Sequence, residues 1–371
     1  MRYYLIAGEA SGDLHASALV RELKVLDPAG HFRGWGGDLM EQQGVEMVRH
    51  YRDLAFMGFA EVITHLPVIL RNFSACEQDI LDFHPDVLIL VDYPGFNLRM
   101  AKFAHGKGIR VFYYISPQLW AWHSSRVKQI RKYVDRMFVI LPFEQEFYAR
   151  HGVEVDFPGH PLTDRLGSGM DLPLREEFLQ RNSLPSIPVI ALLPGSRKME
   201  IRQMLRIMTT VKTSFPEYQL VVAAVPSIPE TFYQDILGDS GIRMVSGQTY
   251  ELLAHSAAAL VTSGTATLET ALMGIPQVVC YRGNPFSYMI ARRLVKVEYI
   301  SLVNLICGKK VIPELIQGEL TTSNLVRKLK ELAEPGPVRD SVLAGYRELA
   351  KKLGSRGASE RTARLMVQYL R

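Results

Sequence analysis

The chain has 371 residues, which is enough for two domains that each bury a large core without help from disulfides or metals. Hydrophobic residues make up 47% and charged residues 22% of the chain, and these values exclude a disordered protein, a collagen and a disulfide-rich mini-protein. The 43 Lys and Arg against 38 Asp and Glu give a net charge of +5, which predicts an anionic partner without specifying its kind.

The predicted elements alternate short apolar runs with amphipathic stretches, a pattern typical of parallel sheets covered by helices. In the first half, strands are predicted at residues 3–7, 87–91, 111–115 and 136–141, with a helix at 14–26 after the first strand. A proline- and glycine-rich stretch at 159–188 predicts a domain boundary. A second series follows, with strands at residues 189–193, 219–224, 258–262 and 277–281 and a helix through 204–213.

This order of elements predicts an α/β protein of two doubly wound, Rossmann-like domains that face each other across a cleft, with ligands at the carboxyl ends of the strands. The predicted domains are residues 1–165 and 166–340. Residues 341–371 form two predicted amphipathic helices, whose apolar positions need a surface to cover. We expect these helices to return to the first domain of the same chain or of a partner chain, and the second arrangement is a homodimer.

Two glycine-bearing turns follow apolar segments in the first domain. The first, GEASGD at residues 8–13, leads into a helix, and free N–H groups at a helix start suit a phosphate or a sugar hydroxyl. The second is GWGGD at residues 34–38. The alternative for either turn is a tight strand-to-helix connection, with Ser11 or Asp13 as a helix cap. The candidate cleft residues are Glu9, Ser11, Gly12 and Asp13.

Two further turns occupy the corresponding positions in the second domain. In LPGSR, Gly195 and Ser196 are followed by Arg197, whose guanidinium matches phosphate oxygens in a bidentate way. In TSGTATLE, small hydroxyl residues and a glycine precede a helix, and Glu269 lies about one turn inside it, where a carboxylate accepts ribose hydroxyls. The alternative is an N-cap at Thr265 with Glu269 as its capping-box partner. The candidate donor-binding residues of this turn are Ser263, Gly264, Thr265 and Glu269.

Asp92 is the most informative carboxylate in the sequence. It follows the apolar run VLILV directly, so we expect it at the carboxyl end of a central strand. Partial burial there raises the pKa of a carboxyl group and makes it a better base. The alternative is that Asp92 caps a helix that begins near Phe96.

The segment at residues 56–73 (FMGFAEVITHLPVILRNF) is apolar on most sides. A helix of this kind is usually buried, and the alternative is a surface patch that dips into lipid with help from nearby basic residues. The motif SPQLWAWH at 116–123, followed by a basic stretch, suits a membrane interface, a sugar face or an ordinary core. The candidate membrane residues are Phe56, Phe59, Ile63, Leu66, Ile69 and Leu70.

Several classes of protein lack support in the sequence. No apolar run is long enough for a spanning helix, and the N-terminus becomes polar too early for a signal peptide, so we expect a cytoplasmic protein. Dispersed cysteines predict neither disulfides nor zinc, and the absence of D-x-D and H-E-x-x-H favours chemistry without a metal. The absence of G-x-G-x-x-G argues against an NAD-dependent oxidoreductase, and dispersed basic residues argue against nucleic-acid binding.

Eight motifs in fixed order resemble the lipid-A-disaccharide synthase family. The motifs read GEASGD, MGFAEV, VDYPGFN, SPQLWAW, PGHPLTD, LLPGSR, TSGTATLE and SLVNLI, and the resemblance runs from about residue 5 to 317. The resemblance implies the two-domain GT-B fold and an inverting glycosyltransferase that uses no metal or other cofactor, since the UDP-sugar is a substrate. The implied reaction joins UDP-2,3-diacylglucosamine to 2,3-diacylglucosamine 1-phosphate and gives the β-1′,6-linked lipid A disaccharide and UDP. The implied location is the cytoplasmic face of the inner membrane of Gram-negative bacteria, with the peripheral membrane patch at residues 56–73.

Matching positions imply roles for individual residues. Asp92 corresponds to the general base that takes the proton of the acceptor 6-hydroxyl, and Arg197 to a residue tied to the donor diphosphate. Asn304 and Gln317 fall in the family's downstream donor segment. The chain departs from the common family wording at His15, which is kept as a second candidate base. The rival hypothesis is a non-hydrolysing UDP-sugar epimerase on the same fold, which has no use for a lipid-facing patch.

Overall fold

A computed structural model describes residues 1–54, 66–122, 126–166, 170–284 and 298–371. The chain divides into a first unit, Met1–Asp164 with Leu353–Arg371, and a second unit, Arg165–Lys352. Each unit contains a six-stranded parallel sheet covered by helices. The predicted pair of doubly wound α/β domains is therefore confirmed.

The sheet of the first unit has the strand order β3-β2-β1-β4-β5-β6. Since β1 pairs with β2 on one side and with β4 on the other, the order reverses between β1 and β4, and such a switch point is where open α/β sheets bind ligands. The strands are β1 (Arg2–Ala7), β2 (His31–Gly36), β3 (Glu46–His50), β4 (Val87–Val91), β5 (Arg110–Tyr114) and β6 (Arg136–Phe138).

The helices of the first unit cover both faces of this sheet, because alternate strand residues point to opposite sides. Tyr4 and Ile6 join one core cluster, whereas Tyr3 and Leu5 join the other. The helices are α1 (Ala10–Leu26), α2 (Asp38–Gln42), α3 (Leu66–Phe83), α4 (Pro94–Gly106), α5 (Leu119–Trp122), α6 (Val127–Tyr133), α7 (Phe143–Ala149) and α8 (Leu162–Arg165).

The predicted turn at residues 34–38 is wrong in its first half, because Gly34 to Gly36 belong to β2. A Cβ at Gly34 would lie 2.0 Å from the Leu5 carbonyl oxygen. The glycine therefore serves the close approach of β2 to β1. The turn itself begins only at Gly37, directly before α2.

The second unit repeats the same topology, with the strand order β12-β11-β10-β7-β8-β9 and its reversal between β7 and β10. Its strands are β7 (Val189–Leu193), β8 (Gln219–Ala224), β9 (Arg243–Ser246), β10 (Ser256–Thr262), β11 (Gln277–Tyr281) and β12 (Glu314–Ile316). Its helices are α9 (Arg175–Arg181), α10 (Lys198–Met208), α11 (Glu230–Leu237), α12 (Thr249–Ala254), α13 (Thr265–Leu272), α14 (Leu302–Cys307), α15 (Thr322–Ala333) and α16 (Pro337–Leu353).

The last helix, α17 (Ala358–Leu370), packs in the first unit, whereas α16 belongs to the second unit as far as Lys352. The structure thus differs from the expectation that both helices of residues 341–371 return together. Asp164 holds the start of α17, since its carboxylate accepts from the backbone N–H of Gly357 at 2.7 Å and of Ala358 and Ser359 at 2.9 Å. This is the stabilising position for an anion at a helix N-terminus.

Candidate active site

The switch point of the first unit lies where β1 and β4 end side by side, with Ala7 paired to Val91. The GEASGD turn follows β1, and Asp92 follows β4. The fold therefore brings Glu9 and Asp92 to the same edge of the sheet. This edge is the expected ligand site of a doubly wound fold.

Asp92 and Tyr93 both adopt left-handed backbone conformations, with φ of 46° and 50°. Ile115, which follows the neighbouring strand β5, has a φ of 66°. Such conformations cost about 1–3 kcal/mol each in residues other than glycine and cluster at functional sites. The carboxyl ends of β4 and β5 are therefore a strained part of the first unit, and the best candidate base lies within it.

The pKa of the Asp92 carboxyl is raised to about 6, chiefly by burial and then by the negative charge of Glu9. A hydrogen bond from the Tyr93 backbone acts in the opposite direction. A carboxylate with this pKa is ionised near neutral pH and is more basic than an ordinary aspartate. Asp92 therefore has the properties of a general base.

We expect kcat/KM to fall as the pH is lowered through about 6, because Asp92 accepts a proton only when it is ionised. Glu9→Gln removes a charge that raises the pKa of Asp92, so this acid limb should move to lower pH. Initial rates across the acid range measure the shift. The control Glu41→Gln removes an exposed carboxylate from α2 and should leave the limb in place. An unmoved limb in Glu9→Gln would contradict the coupling.

The other predicted residues of the GEASGD turn differ in what they offer a ligand. Ser11 is exposed, whereas Gly12 is buried and a Cβ there would lie 3.3 Å from the Ala7 Cβ. Asp13 is 2% exposed, and its carboxylate accepts from the N–H groups of Gly37 at 2.8 Å and of Leu39 and Met40 at 3.1 Å. Asp13 thus caps α2, which gives its carboxylate a structural role.

His15, the second candidate base, lies near a buried histidine. The pKa of His160 is lowered to about 3, first by burial and next by the charge of His15. His160 also accepts a hydrogen bond at Nδ1 from the Leu162 N–H at 3.1 Å. His160 is therefore neutral at physiological pH and acts as a structural acceptor.

In the second unit, a cavity of about 460 Å³ lies at the switch point between β7 and β10. This volume is in the range of small-molecule sites. Most of the predicted donor-binding residues line the cavity together: Gly195, Ser196, Arg197, Ser263, Gly264, Thr265 and Glu269.

Two helix N-termini meet the cavity. Arg197 is the N-cap of α10 and Gly264 is the N-cap of α13, so unpaired N–H groups and the positive ends of two helix dipoles lie at its wall. Gly195 has a φ of 106°, and a Cβ there would lie 2.0 Å from the Glu200 Oε2. Glu200 accepts from the Ser196 N–H at 3.1 Å and thereby shapes this turn. The arrangement suits an anion.

Three residues outside the predicted donor-binding set contribute to this site. Tyr250 donates a hydrogen bond of 2.5 Å to the Glu269 Oε1 and so fixes the carboxylate at the cavity. Thr262 also lines the cavity, and its buried hydroxyl has no hydrogen-bond partner within the part of the chain that the structure describes. Glu200 is the third. Thr262 is the first residue of the TSGTATLE motif, whereas Tyr250 has no signal in the sequence.

Asn304 and Gln317 are not among the residues that line this cavity. Asn304 is fully buried, accepts from the N–H groups of Val311 at 2.8 Å and Ile312 at 3.0 Å, and donates to Glu314 at 2.9 Å. Gln317 adopts a left-handed φ of 52°. Asn304 therefore holds the chain before β12, and a direct donor contact by either residue remains a prediction.

The candidate membrane patch is only partly within the described residues. Phe56, Phe59 and Ile63 lie outside them, as does the side chain of Leu66. Ile69 packs against the core of the first unit, whereas Leu70 is 45% exposed. Among the residues that the structure describes, no helix is long and apolar enough to cross a membrane, and no group of His, Cys, Asp and Glu could hold a metal ion.

Comparison with known proteins identifies the family. The family model for lipid-A-disaccharide synthetase matches residues 3–363. The lipid-A-disaccharide synthase of Geobacter sulfurreducens is 38% identical over 376 aligned positions, covering all of this chain and 97% of that protein. The structure of UDP-GlcNAc 2-epimerase from Neisseria meningitidis has a TM-score of 0.70 at 12% identity, covering 99% of this chain and 100% of that one. The structure of a calicheamicin glycosyltransferase has a TM-score of 0.61 at 18% identity, covering 100% of this chain and 98% of that one. At these identities, the two likenesses show the fold alone. The chain therefore belongs to the lipid-A-disaccharide synthase family, as its eight motifs predicted.

Proposed function

We propose that this protein transfers 2,3-diacylglucosamine from its UDP derivative to the 6-hydroxyl of 2,3-diacylglucosamine 1-phosphate, giving the β-1′,6-linked disaccharide of lipid A and UDP. The observation that carries the proposal is the position of two chemical groups at the switch points of the two sheets. A base-competent carboxylate lies at the switch point of the first unit, and a cavity with two helix N-termini lies at that of the second.

The second unit supplies what a UDP leaving group needs. Arg197 and the N-termini of α10 and α13 place positive charge where the diphosphate gains negative charge as it departs. The Glu269 carboxylate, which the Tyr250 hydroxyl orients by a hydrogen bond, accepts hydrogen bonds from the ribose hydroxyls. These groups stabilise the departing UDP without a metal ion.

The first unit supplies the base. Asp92 takes the proton from the acceptor 6-hydroxyl as that oxygen attacks the anomeric carbon. The bond from this carbon to the diphosphate oxygen breaks in the same displacement, so the configuration inverts and UDP carries away the bonding electron pair. Asp92 then holds one proton, which it returns to water.

The rival activity is epimerisation of a UDP-sugar at C2. The UDP-GlcNAc 2-epimerase structures share the fold at 11–14% identity, whereas the synthases share 36–39% identity over 96–100% of this chain, which favours glycosyl transfer. Mass spectrometry detects a disaccharide after incubation with both substrates, and proton NMR of a separate incubation with UDP-N-acetylglucosamine detects its C2 epimer, which has the same mass as the parent sugar nucleotide. We expect a disaccharide 1-phosphate that forms only when the acceptor is present. Conversion of UDP-N-acetylglucosamine to its C2 epimer, with no disaccharide, would contradict the proposal.

We also propose that the protein binds the inner-membrane surface peripherally through the segment at 56–73, aided by the net positive charge of the whole chain. Leu70→Ser should weaken binding to anionic phospholipid vesicles several-fold and change the free energy of unfolding by less than about 0.5 kcal/mol, because this side chain is exposed. Ile69→Ser is the contrasting variant and should cost about 1–3 kcal/mol of stability, because Ile69 packs on the core. Vesicle sedimentation and thermal melting measure both effects. Unchanged vesicle binding by Leu70→Ser would contradict a contact at this position.

A further inference from the structure

The main-chain carbonyl of Asp92 accepts hydrogen bonds from two buried side chains. The Asn97 Nδ2 lies 2.7 Å from this oxygen, and the Tyr113 hydroxyl lies 2.6 Å from it. Asn97 comes from α4 and Tyr113 from β5, and both are 0% exposed. Two separate elements therefore converge on one peptide group.

This peptide group is the one that joins the two left-handed residues, Asp92 and Tyr93. The direction of its carbonyl is set by the ψ of Asp92 and the φ of Tyr93. Hydrogen bonds to that oxygen consequently oppose relaxation of both residues toward ordinary backbone conformations. The direction of the Asp92 side chain depends on the same backbone angles.

Asn97 also ties this turn to the ends of the two strands at the switch point. Its Nδ2 lies 3.2 Å from the Val91 carbonyl oxygen and 3.4 Å from that of Ile6, and its backbone N–H donates to the Tyr93 carbonyl at 3.0 Å. One amide side chain thus contacts β1, β4 and the turn. It fixes the turn relative to both strands.

The Tyr93 ring fits this turn only because residue 8 is glycine. A Cβ at Gly8 would lie 2.3 Å from the Tyr93 Cδ1. The GEASGD turn and the Asp92 turn are therefore shaped to each other. This fit explains a glycine at residue 8 independently of any ligand.

We propose that Asn97 and Tyr113 are positioning residues, which hold the strained Asp92 turn so that the carboxylate points at the acceptor hydroxyl. Neither side chain needs to touch a substrate for this role. The inference rests on the proposed function of Asp92 as the base. Its experimental signature is a loss of turnover that depends on the carboxylate of Asp92.

Tyr113→Phe is the test, because it removes one hydroxyl and preserves the ring in the core. We expect kcat to fall about 3- to 10-fold, the loss of about one hydrogen bond, while the KM values and the UDP affinity stay within twofold. Tyr114→Phe is the matched control, since Tyr114 is the next residue of β5 and joins the core cluster on the opposite face. It should leave kcat unchanged. An unchanged kcat in Tyr113→Phe would overturn the proposal.

A double-mutant cycle separates positioning from general damage. When Asp92 is already Asn, adding Tyr113→Phe should lower the remaining turnover by less than twofold, because the carboxylate that Tyr113 positions is gone. A full 3- to 10-fold further loss would show that Tyr113 acts elsewhere and would overturn the inference. Asn97→Ala removes a hydrogen-bond donor to three carbonyl oxygens, of which only that of Asp92 is also bonded to Tyr113, and so tests folding as much as positioning. Tyr113→Phe is therefore the decisive variant. Failure of the proposed function is distinguishable, because the wild-type protein would then form no disaccharide.

Discussion

Asp92→Asn is expected to lower the turnover number by about 10²- to 10⁴-fold, the usual contribution of a general base. The amide keeps the size of the carboxylate but cannot accept the proton of the acceptor hydroxyl. The UDP affinity should stay nearly unchanged, because the residues of the donor cavity all belong to the second unit. Steady-state kinetics and calorimetry with UDP measure the two quantities separately.

His15→Gln is the companion variant, since His15 is the other candidate base. It should retain most of the wild-type turnover. If Asp92→Asn retained its turnover and His15→Gln lost it, the role of base would move to His15. The acid limb near pH 6 should also disappear from the residual activity of Asp92→Asn.

Arg197→Ala is expected to weaken UDP binding by about 10- to 100-fold, the range for hydrogen bonds to a charged group. Arg197 is exposed at the N-cap of α10, and within the described ranges its guanidinium makes no ion pair or hydrogen bond with the protein. The charge is therefore available to the diphosphate, and its removal should not lower the stability of the fold. Titration of UDP into the purified variant measures the effect.

The control for Arg197→Ala is Arg202→Ala, which removes the same charge from the same helix outside the cavity wall. Arg202 lies over the ring of Phe232 at 5.3 Å. The Arg202→Ala variant should bind UDP with the affinity of the wild type. Equal UDP affinities for Arg197→Ala and the wild type would contradict the role of Arg197. If Arg197→Ala and Arg202→Ala lost the same UDP affinity, the loss would reflect the net charge of the protein and not a contact of Arg197 with the diphosphate.

The central strands were predictable because buried parallel strands consist almost entirely of apolar residues, as in β4 and β7. Four strands were not predicted from the sequence: β3, β9 and β12 lie at sheet edges, and β2 lies inside the first sheet. Edge strands keep polar side chains toward solvent, as the sequence EMVRH of β3 illustrates, and so lack the apolar run. The pattern therefore revealed the strands that carry an apolar run, including the edge strand β6, and missed strands that polar residues or glycines interrupt, as in the sequence HFRGWG of β2.

The residues of the candidate site were likewise predictable only in part. The sequence places Asp92 directly after an apolar strand and Arg197 in the turn that follows another, and strand ends are local features. Other contacts at the two sheet edges join residues that are distant in the chain: Tyr250 bonds to Glu269, and Asp13 caps a helix 24 residues further on. Topology alone creates such contacts, so no spacing rule could predict them. The left-handed backbone at Asp92 likewise has no signal in the sequence VDYPGFN.

The central claim is that a single inverting displacement makes the disaccharide, with Asp92 as base and Arg197 at the leaving UDP. The most direct measurement is proton NMR of the product formed by the purified protein from both substrates in the presence of EDTA, together with quantification of UDP. We expect a β-configured 1′,6 linkage and one UDP for each disaccharide. An α-linked product, UDP release without disaccharide, or complete loss of activity in EDTA would contradict the account.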